Sequence, residues 1–502
     1  MDIKNSILAV SPSCLRPIYA RVEASPLACR LARGAFWSLT GAMLSRGLGL
    51  VSSILVARML GKWSFGELGV IQSTIGMFGV FAGFGLGMTA TRHVAEFRMK
   101  DPEKAGRIIA MSGITAFASG AIMATALYVF APWLASRTLA AAHLTDLLRI
   151  GAGLLFLSAL NGAQTGALAG FEAYKAIAHV NLLAGLITFP LMVGGAYYAG
   201  VKGAVYSLVI SAGLNWLLNH LALRSEARRA NVPLTLKGCG REISILYTFS
   251  LPAVLSGSMV GPVNWACNAL LVNQSNGYAE MGVYNAAYIF NTVLLFIGST
   301  VGTPLFSIIS SENDTHNERL GRVNILLTWC IGLIPVLPLL SFPEIIQKIY
   351  GADYRGNSFS HTVALILFFT CIVLYKDGLA RVLAARNLLW WGFLSNLFWG
   401  GVVLTGTFFL ARFGSAGLAA SFAVAYAVNT IVIVPLYVRR RLVPRDTLIS
   451  LECSCIWLVL ITMVLLVIVD ASLPYRAVFF VIGTVITTIS IFQLLHKREA
   501  RI

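Results

Sequence analysis

The chain is broken into a long series of apolar runs, each near the length of one bilayer crossing. A crossing helix needs about 20 predominantly apolar residues, and about fourteen stretches meet that rule. Their approximate limits are 35–58, 66–90, 107–130, 147–170, 177–198, 201–222, 244–272, 281–308, 320–342, 362–384, 388–411, 415–437, 453–470 and 475–494. Only helices and closed barrels satisfy their backbone inside lipid, and runs of this length and continuity specify helices. The expected fold is therefore an all-α polytopic membrane protein.

Composition agrees. Charged residues make up 12% of the 502 residues and hydrophobic residues 57%, whereas a soluble domain carries about 25% charged residues. The net charge of +17 comes from 38 Lys and Arg against 21 Asp and Glu. These cations are spread over short loops and form no single patch, so nucleic acid is not an expected partner. If the N-terminus is inside, alternate loops and tails on the cytoplasmic side carry roughly 28 of the cations and the opposite loops about 8. That asymmetry puts both termini in the cytoplasm of a multi-pass protein. Residues 1–34 contain Lys4, Arg16, Arg21, Arg30 and Arg33 without a short apolar core and cleavage site, and read as a cytoplasmic arm.

The chain also repeats itself. "FGELGVIQS" from Phe65 resembles "YAEMGVYNA" from Tyr278, and "EKAGRI" from Glu103 resembles "ERLGRV" from Glu318. "HVNLLAG" from His179 resembles "LSNLFWG" from Leu394, aligning Asn181 with Asn396. "GVKGAVYSLVISAGLN" from Gly200 resembles "GSAGLAASFAVAYAVN" from Gly414, aligning Asn215 with Asn429. All four pairs keep one order and an offset of roughly 213 to 215 residues, the mark of a duplication. The offset covers six spans, so the copies share an orientation and are related by a pseudo-twofold axis along the membrane normal. The expected organisation is an arm (1–34), an N-lobe of six spans (35–222), an inter-lobe loop (223–243), a C-lobe of six spans (244–437), and a basic loop with two further helices and a tail (438–502).

Polar residues inside such spans avoid lipid and mark a cavity or a pairing. Arg46 stands inside "LSRGLGLVSSILVAR", near the middle of the first span. A guanidinium there suits a phosphate or carboxylate through forked hydrogen bonds, and the alternative is a structural pairing with a neighbouring carbonyl or carboxylate. On the same stripe lies Ser53; the seventh span carries Asn264 and Asn268 on the equivalent stripe, with Gly261 opposite Arg46. Gln72 and Asn285 occupy matching depths in spans 2 and 8, and Lys376 falls opposite Asn161 under the offset, with Arg381 further along. These nine residues are the candidate cavity set. For Lys376 and Arg381, snorkelling with a local ion pair to Asp377 is the competing reading. Pro252 and Pro262 bracket the middle of span 7, where a missing donor invites a kink and hence gating. The eight cysteines are scattered; Cys453-x-Cys455 has no partner ligands, so no metal or other cofactor is expected. No P-loop is present, and no loop is long enough for a soluble catalytic domain.

"SRGLGLVSSILVARMLGKWSFGELGV" with "TATRHVAEFRMKDPEKAGRI" resembles the multidrug/oligosaccharidyl-lipid/polysaccharide exporter superfamily, and within it the polysaccharide branch. The resemblance runs to about residue 440. It implies a non-enzymatic flippase of the bacterial inner membrane. Such a protein moves an undecaprenyl-diphosphate-linked oligosaccharide outward by alternating access, for O-antigen or exopolysaccharide synthesis. Cationic cavity residues would engage the diphosphate, and the polysaccharide polymerase and chain-length or export proteins would be partners beside the lipid-linked substrate and membrane lipids. Arg46 matches the Arg of the S-R-x-L-G pattern of the related lipid II flippases. Those proteins continue with an Arg-Asp pair where this chain has Ser52 and Ser53, which argues against lipid II. A cation-coupled drug antiporter of the superfamily would need a buried carboxylate, and the spans offer little beyond Asp377.

Overall fold

A computed structural model describes residues 26–83, 85–235, 238–245, 258–311, 318–385, 388–441, 443–444, 447 and 450–496. The N-terminal arm up to residue 25 and Pro252 lie outside the described residues.

Among the described residues the fold is built of helices, ten of them long and apolar enough to cross a membrane. In chain order they are α1 (Pro26–Gly83), α2 (Leu86–Phe97), α3 (Pro102–Trp133), α4 (Thr145–Gly170), α5 (Tyr174–Arg229), α6 (Val260–Val272) and α7 (Gly277–Ser311). There follow α8 (Glu318–Ser341), the short α9 (Glu344–Tyr350), α10 (Asn357–Ala385), α11 (Leu389–Leu410), α12 (Gly414–Arg439), α13 (Leu451–Ile468) and α14 (Leu473–His496).

Two elements are too long to be single crossings. α1 breaks at Gly61 (φ 70°, ψ 169°) and α5 at Ala199–Gly200, with Gly200 at φ 57°, ψ −139°. Both glycines take positive φ, which L side chains rarely adopt, and each falls between two of the apolar runs. The limbs of α5 double back: Ser207 Oγ donates to the Leu191 carbonyl at 2.7 Å across the turn. Gly195 and Gly203 face each other so closely that a side chain on either would meet the other's carbonyl.

Loop contacts sort the molecule into two faces. On one, Arg98 pairs with Glu172, and Arg107 Nε reaches Glu242 Oε1 at 3.2 Å. Further along that face, Arg322 reaches Glu452 at 2.8 Å. On the other, the Gly61 turn, the loop around His143 and the α9 region meet: His143 Nε2 lies 2.7 Å from Glu67 Oε1, and Tyr354 OH donates to the Ala57 carbonyl at 3.5 Å. The first face holds the cation-rich loops, and is called the basic face below.

Helices up to Arg229 pack mainly on one another, as do those from Val260 onward. α1 and α7 form the main seam between these halves. Toward the opposite face the seam is backbone to backbone: Gly66 lies against the Tyr278 carbonyl, and Gly282 against the Lys62 carbonyl. Tyr278 OH donates to the Leu139 carbonyl at 2.7 Å, and Asn273 Nδ2 to the Thr138 carbonyl at 2.7 Å. α13 and α14 cover α8 and α10 through rings such as Trp329 and Trp457, 4.7 Å apart. The Arg476–Glu344 pair at 2.5 Å pins α14 at the opposite face.

The seventh apolar run differs from expectation. Its described helix, α6, starts at Val260, so Pro262 lies in the first turn. There the missing N–H sacrifices no intrahelical bond, and proline starts a helix instead of kinking its middle.

Candidate functional site

Between the halves lies a cavity of about 510 Å³, walled by both limbs of α1, both limbs of α5, and α7. Three expected residues meet in it: Ser53, Gln72 and Asn285. So do residues that the sequence marked only as repeat landmarks or not at all, including Ser45, Asn181, Thr188, Asn215, Tyr288 and Thr292. Among the described residues every polar side chain in the lining is an amide or a hydroxyl, and none is charged.

Two of these groups are short of partners. Asn285 Nδ2 and Ser52 Oγ are buried and find no hydrogen-bond partner among the described residues. A buried amide donor left unpaired costs roughly 1–3 kcal/mol, so the cavity wall stores unmet hydrogen-bonding capacity that water or a hydroxylated ligand would satisfy. The Asn285 amide reaches this position because Gly69 has no side chain; a methyl there would overlap it.

Arg46 stands beside the cavity rather than in its wall. Its neighbours Ser45 and Gly49 line the space, while its guanidinium lies over the Phe296 ring of α7, 4.4 Å from the centroid. Phe296 is one helical turn beyond the cavity residue Thr292, toward the basic face. Counted from the Gly61 turn, Arg46 is about 22 Å along its limb, past the midplane of a core about 30 Å thick. Arg46 is exposed, and among the described residues no carboxylate pairs with it. The cavity therefore has a neutral interior and a cationic mouth. Toward the basic face its rim residues Arg46, Gly49 and Thr292 are exposed, whereas Val56, Phe65 and Leu68 near the other end are buried.

The remaining candidates sit elsewhere. Asn264 and Asn268 belong to α6, which packs on α1 and α11, and neither lines the cavity; Asn264 Oδ1 is buried and finds no partner among the described residues, and Asn268 is 9% exposed. Asn161 joins a ladder between α4 and α5: it donates to the Ala212 carbonyl at 3.1 Å and accepts from Asn219 at 3.2 Å. Asn219 also donates to the cavity residue Asn215 at 3.1 Å. The position opposite, Lys376, makes the corresponding cross-helix contact by donating to Asn429. The two positions aligned by the offset thus meet the two asparagine-bearing helices aligned by it, with an amide in one half and an ammonium in the other.

Arg381 is spoken for. Its side chain donates to Asn324 Oδ1 at 2.8 Å, to the Asn324 carbonyl at 3.0 Å and to Thr328 Oγ1 at 3.0 Å, and pairs with Asp377. It is a cross-link between α8 and α10, and does not line the cavity. Among the described residues no cluster of His, Cys, Asp and Glu suited to a metal ion occurs.

Known proteins resemble the chain at both levels. A family model described as "Polysaccharide biosynthesis protein" matches residues 31–311. The EPS I polysaccharide export inner membrane protein EpsE of Ralstonia nicotianae is 24% identical over 392 residues, covering 76% of this chain and 88% of that protein. Stage V sporulation protein B of Bacillus subtilis is 24% identical, covering 75% and 77%. Among solved structures, the lipid II flippase MurJ in an inward closed conformation aligns with TM-score 0.68 at 15% identity, covering 92% of this chain and 100% of that one. An inward-facing multidrug resistance MATE family transporter aligns with TM-score 0.64 at 15% identity, covering 81% and 98%.

Proposed function

Since the chain belongs to the polysaccharide biosynthesis protein family, a branch of the exporter superfamily whose fold it shares, we propose that it carries an undecaprenyl-diphosphate-linked oligosaccharide from the cytoplasmic to the periplasmic leaflet. It is a multi-pass inner-membrane transporter and not an enzyme.

The observation that carries this reading is the division of the site into a neutral interior and a cationic mouth. A repeat-unit headgroup is a string of hydroxyls ending in a diphosphate. The amides and hydroxyls around Gln72, Asn181, Asn215 and Asn285 offer hydrogen bonds to the sugars. Arg46, on the rim, offers a guanidinium to the diphosphate while the polyprenyl tail stays in lipid. The burial of Asn285 Nδ2 and Ser52 Oγ without partners supports a polar occupant.

The same layout supports alternating access. The contacts of Gly66 and Gly282 close the seam toward the opposite face, and the rim is exposed toward the basic face. With the basic face cytoplasmic, as the roughly 28-to-8 division of cations favours, this is the loading state. Two six-helix lobes, about 35–222 and 244–437, then rock about the α1–α7 seam to release the headgroup outside. A gradient, or removal of the product by a polymerase and chain-length or export partners, supplies direction. A cation-coupled drug antiporter is less well supported, because no carboxylate among the described residues lines the cavity and Asp377 is held by Arg381.

The test is transport in proteoliposomes loaded with a fluorescent polyprenyl-diphosphate oligosaccharide. Transbilayer movement should require the protein and should fall when Gln72 and Asn215 are both replaced by Leu. Movement no faster than in protein-free vesicles, from a well-folded sample, overturns the reading.

A further inference from the structure

A second and larger concavity lies outside the seam. It measures about 740 Å³ and is walled by α3, α4, the second limb of α5 and the segment after Arg229. None of its lining residues also lines the cavity between the halves. Its wall is amphipathic along one direction. At one end stand Ile114, Phe117 and Leu160; Ile114 and Phe117 are exposed, with no protein covering them. At the other end His220, Arg224 and Arg228 follow one another at four-residue steps, so all three share one face of α5 and line the concavity. Val232, Pro233 and Leu234 close this end, with the Pro233 carbonyl seated on Gly106 of α3.

The charge there is unbalanced. Among the described residues no Asp or Glu lines the concavity. The one nearby acid on α5, Glu226, bonds Arg229 at 2.8 Å, and Glu242 is taken by Arg107. Arg224 and Arg228 are exposed, and no carboxylate pairs with either among the described residues. A volume of this size lies in the range of small-molecule sites, about 300–1,000 Å³. Basic pockets between membrane helices on the cytoplasmic side suit phosphate headgroups.

From this pairing of an uncovered apolar wall with two unneutralised guanidinium groups at its basic-face end, we infer that the concavity is a docking site for an anionic phospholipid of the surrounding leaflet. An acyl chain lies along Ile114, Phe117 and Leu160, and the phosphodiester sits between Arg224 and Arg228. The site is separate from the transport cavity and does not depend on the cargo proposed above. Because the lining residue Gln164 follows Asn161 by one turn of α4, and Asn161 joins Asn219 and so Asn215 across α5, a lipid seated here braces the α4–α5 contact behind the transport cavity.

Native mass spectrometry of the full-length protein, equilibrated with phosphatidylglycerol or phosphatidylethanolamine of the same chain length, tests this. Wild type should retain phosphatidylglycerol preferentially. Replacing both arginines (R224Q/R228Q) should weaken its retention roughly thirtyfold, as two interfacial cations would. R224K/R228K should keep most of the preference, and R229Q should keep all of it, which separates lost binding from lost folding. Equal retention of the two lipids by wild type, or an unchanged preference in the double Gln variant, overturns the inference. So does displacement of phosphatidylglycerol by undecaprenyl diphosphate at equal concentration, which would make the concavity a cargo site.

Discussion

Arg46 and Phe296 stack across the two halves, the guanidinium carbon 4.4 Å from the ring centroid. Such a contact at an exposed site contributes about 0.5–1 kcal/mol, a small part of the stability of the fold. Arg46→Ala should therefore leave protein abundance near wild type while export of surface polysaccharide falls at least tenfold. Arg46→Lys keeps the charge but not the fork, and should retain part of the export. Immunoblotting of membranes beside polysaccharide quantification separates the two effects, and normal export by Arg46→Ala would remove the headgroup role.

Asn285 offers the opposite dissociation. Its Nδ2 is buried and unpaired, so trimming it to Ala removes a polar group that already lacks a partner. Truncation of that kind is near neutral or stabilising. Melting in detergent should stay within about 1 kcal/mol of wild type or rise, while transport of the lipid-linked sugar drops. A large loss of stability would show that the amide is satisfied by the protein.

Two seam glycines should respond differently. At Gly66 a methyl group meets the Tyr278 carbonyl, which cannot swing away, whereas at Gly69 it meets only the end of the Asn285 side chain. Gly66→Ala should cost about 1–3 kcal/mol and loosen the seam, raising the labelling of a cysteine at the buried Leu68 by an impermeant thiol reagent. Gly69→Ala should cost less and leave that labelling low.

Arg381 tests the structural reading of the α8–α10 cross-link. Arg381→Met strands the polar atoms of Asn324 and Thr328 and should lower stability by about 2–3 kcal/mol. Asp377 is partly exposed, so Asp377→Asn should cost under about 1 kcal/mol. Thermal unfolding followed by intrinsic fluorescence would rank them. Equal effects would mean that the ion pair, and not the bonds to Asn324, dominates.

The helices were legible because lipid imposes one solution on the backbone: among the described residues most apolar runs of crossing length fall on one helix each, the run 66–90 being divided between α1 and α2, and turns fall at Gly61, Gly200 and Gly414 between runs. Of the candidate site residues, the structure brings only some together. Ser53, Gln72 and Asn285 lie in the cavity, and Asn161 and Lys376 occupy matching cross-helix contacts. What periodicity could not supply was the direction in which each polar stripe faces. A membrane helix can turn an asparagine toward a cavity or toward a neighbouring helix at similar cost, so Asn264 and Asn268 read like Asn181 and Asn215. The best available signal was the repeat itself: Asn181 and Asn215 were conspicuous as its landmarks, and both line the cavity. Arg381 was misleading for a related reason, since its partners Asn324 and Thr328 sit some fifty residues away in the chain.

A transport chamber whose described wall carries no ions grades what it admits by bulk and hydroxyl count, not by ionisation. For the proposed cargo, repeat units with different sugars but similar girth would cross on similar terms. Fidelity of the finished polymer then rests with the enzymes that build the unit and those that join it. A lineage could remodel its surface glycan by exchanging those enzymes while keeping this membrane step unchanged.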